Sequence, residues 1–233
     1  VAAGLEEGVL KGNESFECTG FKHVADRDIY CVKRTGHGWL NVQESLMQSC
    51  NVCLMDMAAM IGVDRFTKYQ AIFGFGDKTG IDLPGEADTS GLVYHADNMG
   101  PTELATSSFG QGFNCTMVQM AAAYCSVING GSYYEPHVVK QILNEQGSVV
   151  ERKEPVLVRE TVSQSTANFL KQTMFETVEN GTGGAAAVAG YEVGGKTGTA
   201  ERLPRKDKNY LVSFAGFAPV EDPQVFVYVV IDV

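Results

Sequence analysis

The segment 190–200, which reads Gly-Tyr-Glu-Val-Gly-Gly-Lys-Thr-Gly-Thr-Ala, restricts the fold more than any other stretch of the sequence. Residues 190–197 fit the phosphate-loop pattern G-x-x-x-x-G-K-T, which requires a buried strand before it and a helix after it. The segment also suits a β-strand beside a cleft, where Gly198 would let a substrate backbone approach closely. The residues on either side decide between these two local structures.

Those flanking residues disfavour a phosphate loop. Residues 183–189 contain only glycine, alanine and one valine, so they are too small and flexible for a buried strand. Gly198 and Pro204 follow Thr197 closely, and both residue types oppose a helix. We therefore expect the segment around Lys196 to be a strand.

The downstream sequence indicates that this strand belongs to an antiparallel sheet. Residues 210–218 and 225–232 are rich in β-branched and aromatic side chains, and the turn-forming segment 219–223 separates them. Three strands that follow one another in this way predict a meander. Residues 181–233 are thus interpreted as the strand-bearing part of one domain.

Residues 1–180 are predicted to form a mainly helical lobe with loops. Asn41 followed by Glu44 matches a capping box, and the apolar residues from Leu46 to Ile61 have helical spacing with a break near residues 49–51. Further helices are expected at residues 64–73, 116–128 and 163–180. Helices flanking an antiparallel sheet predict the α+β class.

Two short motifs connect the helical part to the predicted strand. Ser49-Cys50-Asn51 is an S-x-N element, and Lys196-Thr197-Gly198 is a K-T-G element; both belong to the signature S-x-x-K, S-x-N, K-T-G. A second K-T-G at residues 78–80 lies among glycines and precedes Pro84, which predicts a loop rather than a strand. On their own, Ser49 and Asn51 are more typical of a helix cap than of a catalytic motif.

The chain resembles the class B penicillin-binding proteins along nearly its whole length. The stretches that carry this resemblance are residues 5–8, 36–38, 48–52, 73–86, 109–112, 128–131, 181–183 and 214–219. The resemblance implies the serine β-lactamase/D,D-peptidase-like transpeptidase fold, with an all-helical lobe beside the sheet. It also implies a peptidoglycan D,D-transpeptidase, which cross-links stem peptides through a serine acyl-enzyme and is acylated by β-lactam antibiotics.

The resemblance assigns roles to individual residues. Ser49 matches the serine that relays a proton to the leaving amine, Asn51 the asparagine that binds the substrate amide, and Lys196 the lysine that orders the hydroxyl network. Thr197, Gly198 and Thr199 match the strand that binds the substrate, with the Thr199 N–H as an oxyanion donor. No cofactor is required for this catalysis.

The attacking serine is not found in the sequence, because no serine has a lysine three positions later. We therefore expect a fragment of the transpeptidase domain, incomplete at both ends and inactive alone. One alternative is a non-catalytic scaffold or pseudoenzyme fragment that binds proteins of a cell-wall synthesis complex. A second is a serine β-lactamase or D,D-carboxypeptidase.

Six cysteines are many for an extracytoplasmic bacterial domain. Cys18, Cys31, His37 and Cys50 are candidate ligands of a structural Cys₃His zinc site, although the spacing lacks a C-x-x-C pair. Some class B relatives carry a metal at similar positions, but more often with carboxylate ligands. A Cys31–Cys50 disulfide that acts as a redox switch and a set of free buried thiols are the alternatives.

Charge and hydropathy limit the partners of the chain. The net charge of −10 argues against binding to nucleic acid and to anionic lipid surfaces. No long apolar run is present, so no membrane contact is expected within these residues. The resemblance implies a location on the extracytoplasmic face of the bacterial membrane, with an N-terminal anchoring helix outside this chain.

Overall fold

The computed structural model of the protein describes residues 1–202, 204, 207 and 209–233. The helices are α1 (Ala2–Glu6), α2 (Val42–Met47), α3 (Asn51–Ile61), α4 (Val63–Ile72), α5 (Pro101–Ser108), α6 (Met117–Ile128) and α7 (Gln164–Asn180). The strands are β1 (Ser15–Cys18), β2 (Phe21–Val24), β3 (Arg27–Tyr30), β4 (Gly38–Asn41), β5 (Ser132–Tyr134), β6 (Gln141–Leu143), β7 (Val149–Arg152), β8 (Leu157–Glu160), β9 (Gly194–Glu201), β10 (Tyr210–Ala218) and β11 (Val225–Asp232).

The capping box predicted at Asn41 begins α2. The Asn41 side chain accepts a hydrogen bond from the Glu44 N–H at 2.8 Å, and the Glu44 carboxylate accepts one from the Asn41 N–H at 2.9 Å. This reciprocal pair satisfies two backbone donors that a helix start would otherwise leave without partners. Helix α2 ends at Met47, so the predicted break before Asn51 is confirmed.

Helix α3 forms the centre of the core in the N-terminal part of the chain. Its buried face carries Val52, Met55 and Met57, which pack with Leu10 and with Val42 of α2. Strand β1 of the pair β1–β4 also contacts this helix, and so does β3 of the antiparallel pair β2–β3. Because β1 and β4 are brought together there, residues that lie far apart in the sequence meet at the N-terminus of α3.

The C-terminal strands form one antiparallel sheet in the order β11–β10–β9. Among the described residues β9 is therefore an edge strand, with β10 on one side only. Gly194 and Gly195 allow aromatic rings to lie against β9, because a Cβ at these positions would come within 2.4 Å of Phe217 and 2.3 Å of Phe214.

Helix α7 packs against this sheet and connects it with the helical part. Leu170 and Met174 of α7 form a buried cluster with Phe217 of β10 and Ile128 of α6. The N-cap of α7 is Ser163, whose hydroxyl accepts a hydrogen bond from the backbone N–H of Thr166. This packing sets the position of β9 relative to the end of α2.

The α+β prediction is confirmed, since helices pack on an antiparallel sheet. The predicted helices at residues 64–73, 116–128 and 163–180 are observed within one residue of their ends, and all three C-terminal strands are present. The features that were not predicted include the helices α1 and α5 and the four short strands β1 to β4. Within the described residues, none of the helices has the length and apolar character required to cross a membrane.

Substitutions at two methionines of α3 test the position of the core. Met57 is 1% exposed and Met60 is 47% exposed. We expect Met57→Ala to lower the free energy of unfolding by about 2–5 kcal/mol, because it removes buried atoms and leaves a cavity. Met60→Ala, the matched control, should change it by less than about 0.5 kcal/mol. Urea titration measures both, and equal effects would contradict this helix orientation.

Candidate active site

The turn between α2 and α3 directs Ser49 out of the helix pair. Ser49 has a φ of 49°, a left-handed conformation that residues other than glycine seldom adopt. Helix α3 has Cys50 at its N-cap, and no side chain caps it. The helix-cap alternative for Ser49 and Asn51 is thus not observed, and the Ser49 hydroxyl lies free to face the sheet.

Lys196 reaches this hydroxyl from the opposite side. Its Nζ donates a hydrogen bond to Ser49 Oγ, which is 147 positions away in the sequence, and a second one to the Thr197 carbonyl at 2.9 Å. Desolvation of the half-buried ammonium lowers the pKa of Lys196 to about 8. The contact between Lys196 and Ser49 joins the predicted S-x-N turn and K-T-G strand in one site.

Asn51 is held by a different part of the chain. Its side-chain Nδ2 donates a hydrogen bond of 3.1 Å to the carbonyl oxygen of Tyr30, at the end of β3. This bond fixes the orientation of the amide, because the nitrogen is thereby assigned to the Tyr30 side. Asn51 is the first residue of α3, two positions after Ser49, and its amide nitrogen is engaged by Tyr30.

Thr197, Gly198 and Thr199 continue along the edge strand β9. The Thr197 hydroxyl lies 3.1 Å from the hydroxyl of Thr182, and Thr199 is exposed. A Cβ on Gly198 would lie 2.6 Å from Ser213 Oγ of β10, so a side chain there would require the Ser213 hydroxyl to move. Half of the backbone groups of an edge strand point away from its neighbour, and they are available to a ligand.

Thr182 is a site residue that the sequence analysis did not single out. Its hydroxyl donates a hydrogen bond of 3.2 Å to the Met47 carbonyl and contacts Thr197 on β9. It lies in the segment 181–183 between α7 and β9, and the Gly-Thr-Gly triplet was the available signal. Thr182 thereby links the end of α2 to the K-T-G strand.

A groove runs beside β9 and has a volume of about 350 Å³. Its polar wall carries Thr182, Thr197 and Ser213, and its apolar wall includes Val212 and Phe214. The groove is open to solvent, and its surface is mostly apolar apart from these hydroxyls. Such a surface suits a peptide that has an apolar side and a terminal polar group.

The second K-T-G triplet lies in a loop, as predicted. The Glu86 carboxylate accepts hydrogen bonds from the Thr79 N–H and hydroxyl, both at 2.6 Å, and from the Gly80 N–H at 3.2 Å. These bonds close a turn and leave no free hydroxyl at Thr79. Lys78–Gly80 is therefore part of the scaffold and has no contact with Ser49.

The four candidate metal ligands lie together beside the S-x-N turn. The ligand atoms of Cys18, Cys31, His37 and Cys50 are all within 4.8 Å of one another. The sulfurs of Cys31 and Cys50 are 3.8 Å apart, and Cys31 Sγ is 3.6 Å from His37 Nδ1. Tetrahedral zinc with Zn–S bonds of about 2.3 Å has S–S edges of about 3.8 Å, so the donor set and its size fit this ion.

The structure contains these cysteines as free thiols, and the alternative Cys31–Cys50 disulfide is not formed in it. The hydrogen bond with Cys50, followed by burial, raises the pKa of Cys31 to about 12. Cys53 is buried close by on α3 but does not belong to the four-residue cluster.

Comparison with known proteins agrees with this geometry. The sequence profile of the family described as "Penicillin binding protein transpeptidase domain" matches residues 1–233. Stage V sporulation protein D of Bacillus subtilis is 37% identical over 237 residues, which cover 100% of this chain and 36% of that protein. Peptidoglycan D,D-transpeptidase MrdA of Acinetobacter baumannii is 27% identical, over 97% of this chain and 37% of the relative. The chain thus spans little more than a third of these curated relatives.

Solved structures show the same fold. Penicillin-binding protein 3 of Mycobacterium tuberculosis, complexed with ampicillin, has a TM-score of 0.89 and 27% identity, over 99% of this chain and 53% of that one. The D,D-transpeptidase domain of a peptidoglycan glycosyltransferase from Eggerthella lenta has a TM-score of 0.88 and 27% identity, over 98% of this chain and 57% of that one. Both likenesses extend across the helical part and the sheet.

The lowered pKa of Lys196 gives a pH dependence that can be measured directly. We expect the ¹³Cε resonance of one lysine to titrate with a midpoint near pH 8, because desolvation disfavours the ammonium. Between about pH 8 and 10.4 the unfolded chain then binds more protons at this position, so its contribution to stability rises with pH. Lys196→Met should remove this resonance. If no lysine of the wild-type protein titrates near pH 8, the burial of the Lys196 ammonium is contradicted.

Proposed function

Because the chain belongs to the penicillin-binding protein transpeptidase family, we propose that it forms the substrate-binding part of a peptidoglycan D,D-transpeptidase. The observation that carries this proposal is the hydrogen bond from Lys196 to Ser49, which joins the S-x-N and K-T-G elements. No serine of this sequence is assigned as the attacking nucleophile, since none is followed three residues later by lysine.

In the proposed reaction a serine oxygen bonds to the carbonyl carbon of the penultimate D-alanine, and the peptide C–N bond breaks. The proton of that serine passes to the leaving D-alanine nitrogen, with the Ser49 hydroxyl as the relay. An acceptor amine of a second stem peptide then attacks the ester, forms the cross-link and restores the serine. Lys196 keeps the Ser49 hydroxyl oriented toward the leaving group.

The same strand binds the end of the substrate. The Thr197 and Thr199 hydroxyls hold its terminal carboxylate, and the positive charge of Lys196 attracts that group. An extended peptide can add to the free edge of β9, because Gly198 presents no side chain there. The Thr199 N–H donates to the oxyanion together with the N–H of the attacking serine. β-Lactam antibiotics, which carry a carboxylate near their reactive carbonyl, acylate the same site.

The proposed substrate also sets the location and partners of the domain. Peptidoglycan is cross-linked outside the cytoplasmic membrane, so the domain works on the extracytoplasmic face. Proteins of a cell-wall synthesis complex are its expected partners there. The negative net charge of −10 agrees with a protein that avoids anionic lipid surfaces.

Labelled penicillin tests this function on the protein expressed from its complete coding sequence. We expect covalent labelling that persists for hours, and Ser49→Ala and Lys196→Met should slow it by about 10²–10³-fold because they remove the relay and its orienting charge. Ser148→Ala, in the exposed β6–β7 turn, is the matched control and should label normally. Absence of label would favour the scaffold alternative, and rapid release of the label would favour a β-lactamase.

We further propose that Cys18, Cys31, His37 and Cys50 hold a structural zinc ion. The size of the cluster and its Cys₃His composition support this proposal. When bound, zinc supplies a positive charge that keeps the thiols deprotonated and closes the four side chains into one unit. Cys50 then anchors the backbone between Ser49 and Asn51, so the four residues act as positioning residues for the turn.

Metal analysis of reduced, purified protein tests the zinc proposal. We expect one zinc per chain, and Cys31→Ser should lower both the zinc content and the melting temperature. Cys53→Ser, at a buried cysteine outside the cluster, should retain the metal. A protein without stoichiometric zinc contradicts the proposal, and a mass deficit of two hydrogens located at Cys31 and Cys50 in protein purified without reductant would indicate the disulfide instead.

A further inference from the structure

We infer that Thr182 is a positioning residue that determines whether the Thr197 hydroxyl donates its proton to a bound carboxylate. The inference rests on the proposed role of Thr197 and extends it to a residue that lies outside the S-x-N and K-T-G motifs. Its basis is the chain of contacts from Met47 through Thr182 to Thr197.

The backbone around Thr182 is held closely between two helices. A Cβ at Gly181 would lie 2.8 Å from the Met47 carbonyl oxygen, and one at Gly183 would lie 3.0 Å from the Thr177 carbonyl oxygen. The Gly183 N–H also donates to that Thr177 oxygen at 2.9 Å. The backbone of Thr182 is therefore closely packed on both sides. The direction of its hydroxyl proton can still change without moving that backbone.

The number of protons limits what this pair of hydroxyls can do. Each threonine hydroxyl has one proton and can accept two hydrogen bonds. When the Thr182 hydroxyl donates to the Met47 carbonyl at 3.2 Å, its contact with Thr197 at 3.1 Å requires the Thr197 proton. In this arrangement Thr197 has no proton left for a ligand.

A carboxylate at Thr197 reverses the arrangement. Thr197 then donates to the anion, and Thr182 turns its proton from Met47 toward Thr197. The Met47 carbonyl keeps a partner, because the Thr182 N–H also donates to it at 3.3 Å. No buried acceptor is left unpaired by this change, so it costs little free energy.

Two consequences follow for recognition. The Thr182 hydroxyl becomes a donor to Thr197, which makes the Thr197 proton a better donor to the anion. Met47 lies two residues before Ser49. Its carbonyl therefore connects the hydroxyl pair to the turn that carries Ser49. Thr182 is exposed in the free protein, where water can hydrogen-bond to its hydroxyl. A ligand that fills the groove displaces this water.

Carboxylate preference measures this role on the 233-residue chain itself. The probes are an N-acylated D-alanyl-D-alanine dipeptide and its C-terminal amide, titrated by NMR. We expect Thr182→Val to weaken binding of the acid about five- to tenfold and to change binding of the amide less than twofold. Thr182→Ser, which retains the hydroxyl, should restore the preference for the acid. Thr106→Val, on α5 with a hydroxyl bonded to the Thr102 carbonyl, is the control and should bind as the wild type does.

A double-mutant cycle with Thr197→Val completes the test. If the two hydroxyls act as one unit, Thr182→Val should weaken acid binding no further in the Thr197→Val background. Equal losses for the acid and the amide, additive effects in the cycle, or failure of Thr182→Ser to restore binding would each overturn the inference. The proposed enzymatic function fails separately, when labelled penicillin does not attach to the protein from the complete coding sequence.

Discussion

The site depends on one contact between the two halves of the chain, in which the Lys196 ammonium is bonded to the Ser49 hydroxyl. Placing a charged amine away from water is unfavourable, and the lowered pKa of about 8 expresses that cost. Its hydrogen bonds to Ser49 and to the Thr197 carbonyl offset part of this cost. The packing of α7 between the sheet and α2 fixes the distance across which this contact forms.

Three separate supports converge on the short turn that carries Ser49. The backbone of Ser49 is in a strained left-handed conformation. Lys196 contacts Ser49 from one side, and the next residue, Cys50, belongs to the cluster of Cys18, Cys31, His37 and Cys50. Asn51 adds the bond to the Tyr30 carbonyl. A backbone in a rarely populated conformation persists only when its surroundings determine it, and these contacts provide that determination. The geometry of the candidate site is therefore a property of these supports as much as of the motif.

Local sequence rules predicted the features that depend on neighbouring residues. The capping box at Asn41, the helix from Ser163 and the strands at residues 210–218 and 225–232 were all readable, because capping and alternation are short-range effects. Strands β1 to β4 were missed because each has only four residues, and the pairing of β1 with β4 joins positions 20 to 26 residues apart. Helix α5 was missed because its eight residues follow a long loop and carry several hydroxyl side chains.

The candidate site was predicted unevenly for the same reason. Ser49 and Lys196 belong to a known motif signature, so their pairing could be expected despite the long separation. The positive φ of Ser49, the Tyr30 partner of Asn51 and the bridge through Thr182 arise from tertiary packing, and no spacing in the sequence encodes them. Side chains that act through backbone carbonyls leave no residue-type signature at the accepting position.

The open edge of β9 has an evolutionary consequence. The main-chain groups of such a strand offer features that every residue type shares, so substitutions at positions whose side chains do not touch the ligand alter recognition by this edge only weakly. A side chain at Gly198 would meet the Ser213 hydroxyl at 2.6 Å and would require it to move. Variants that discriminate between a natural peptide and an inhibitor of similar shape must therefore arise around the groove, in residues that control its width and entry.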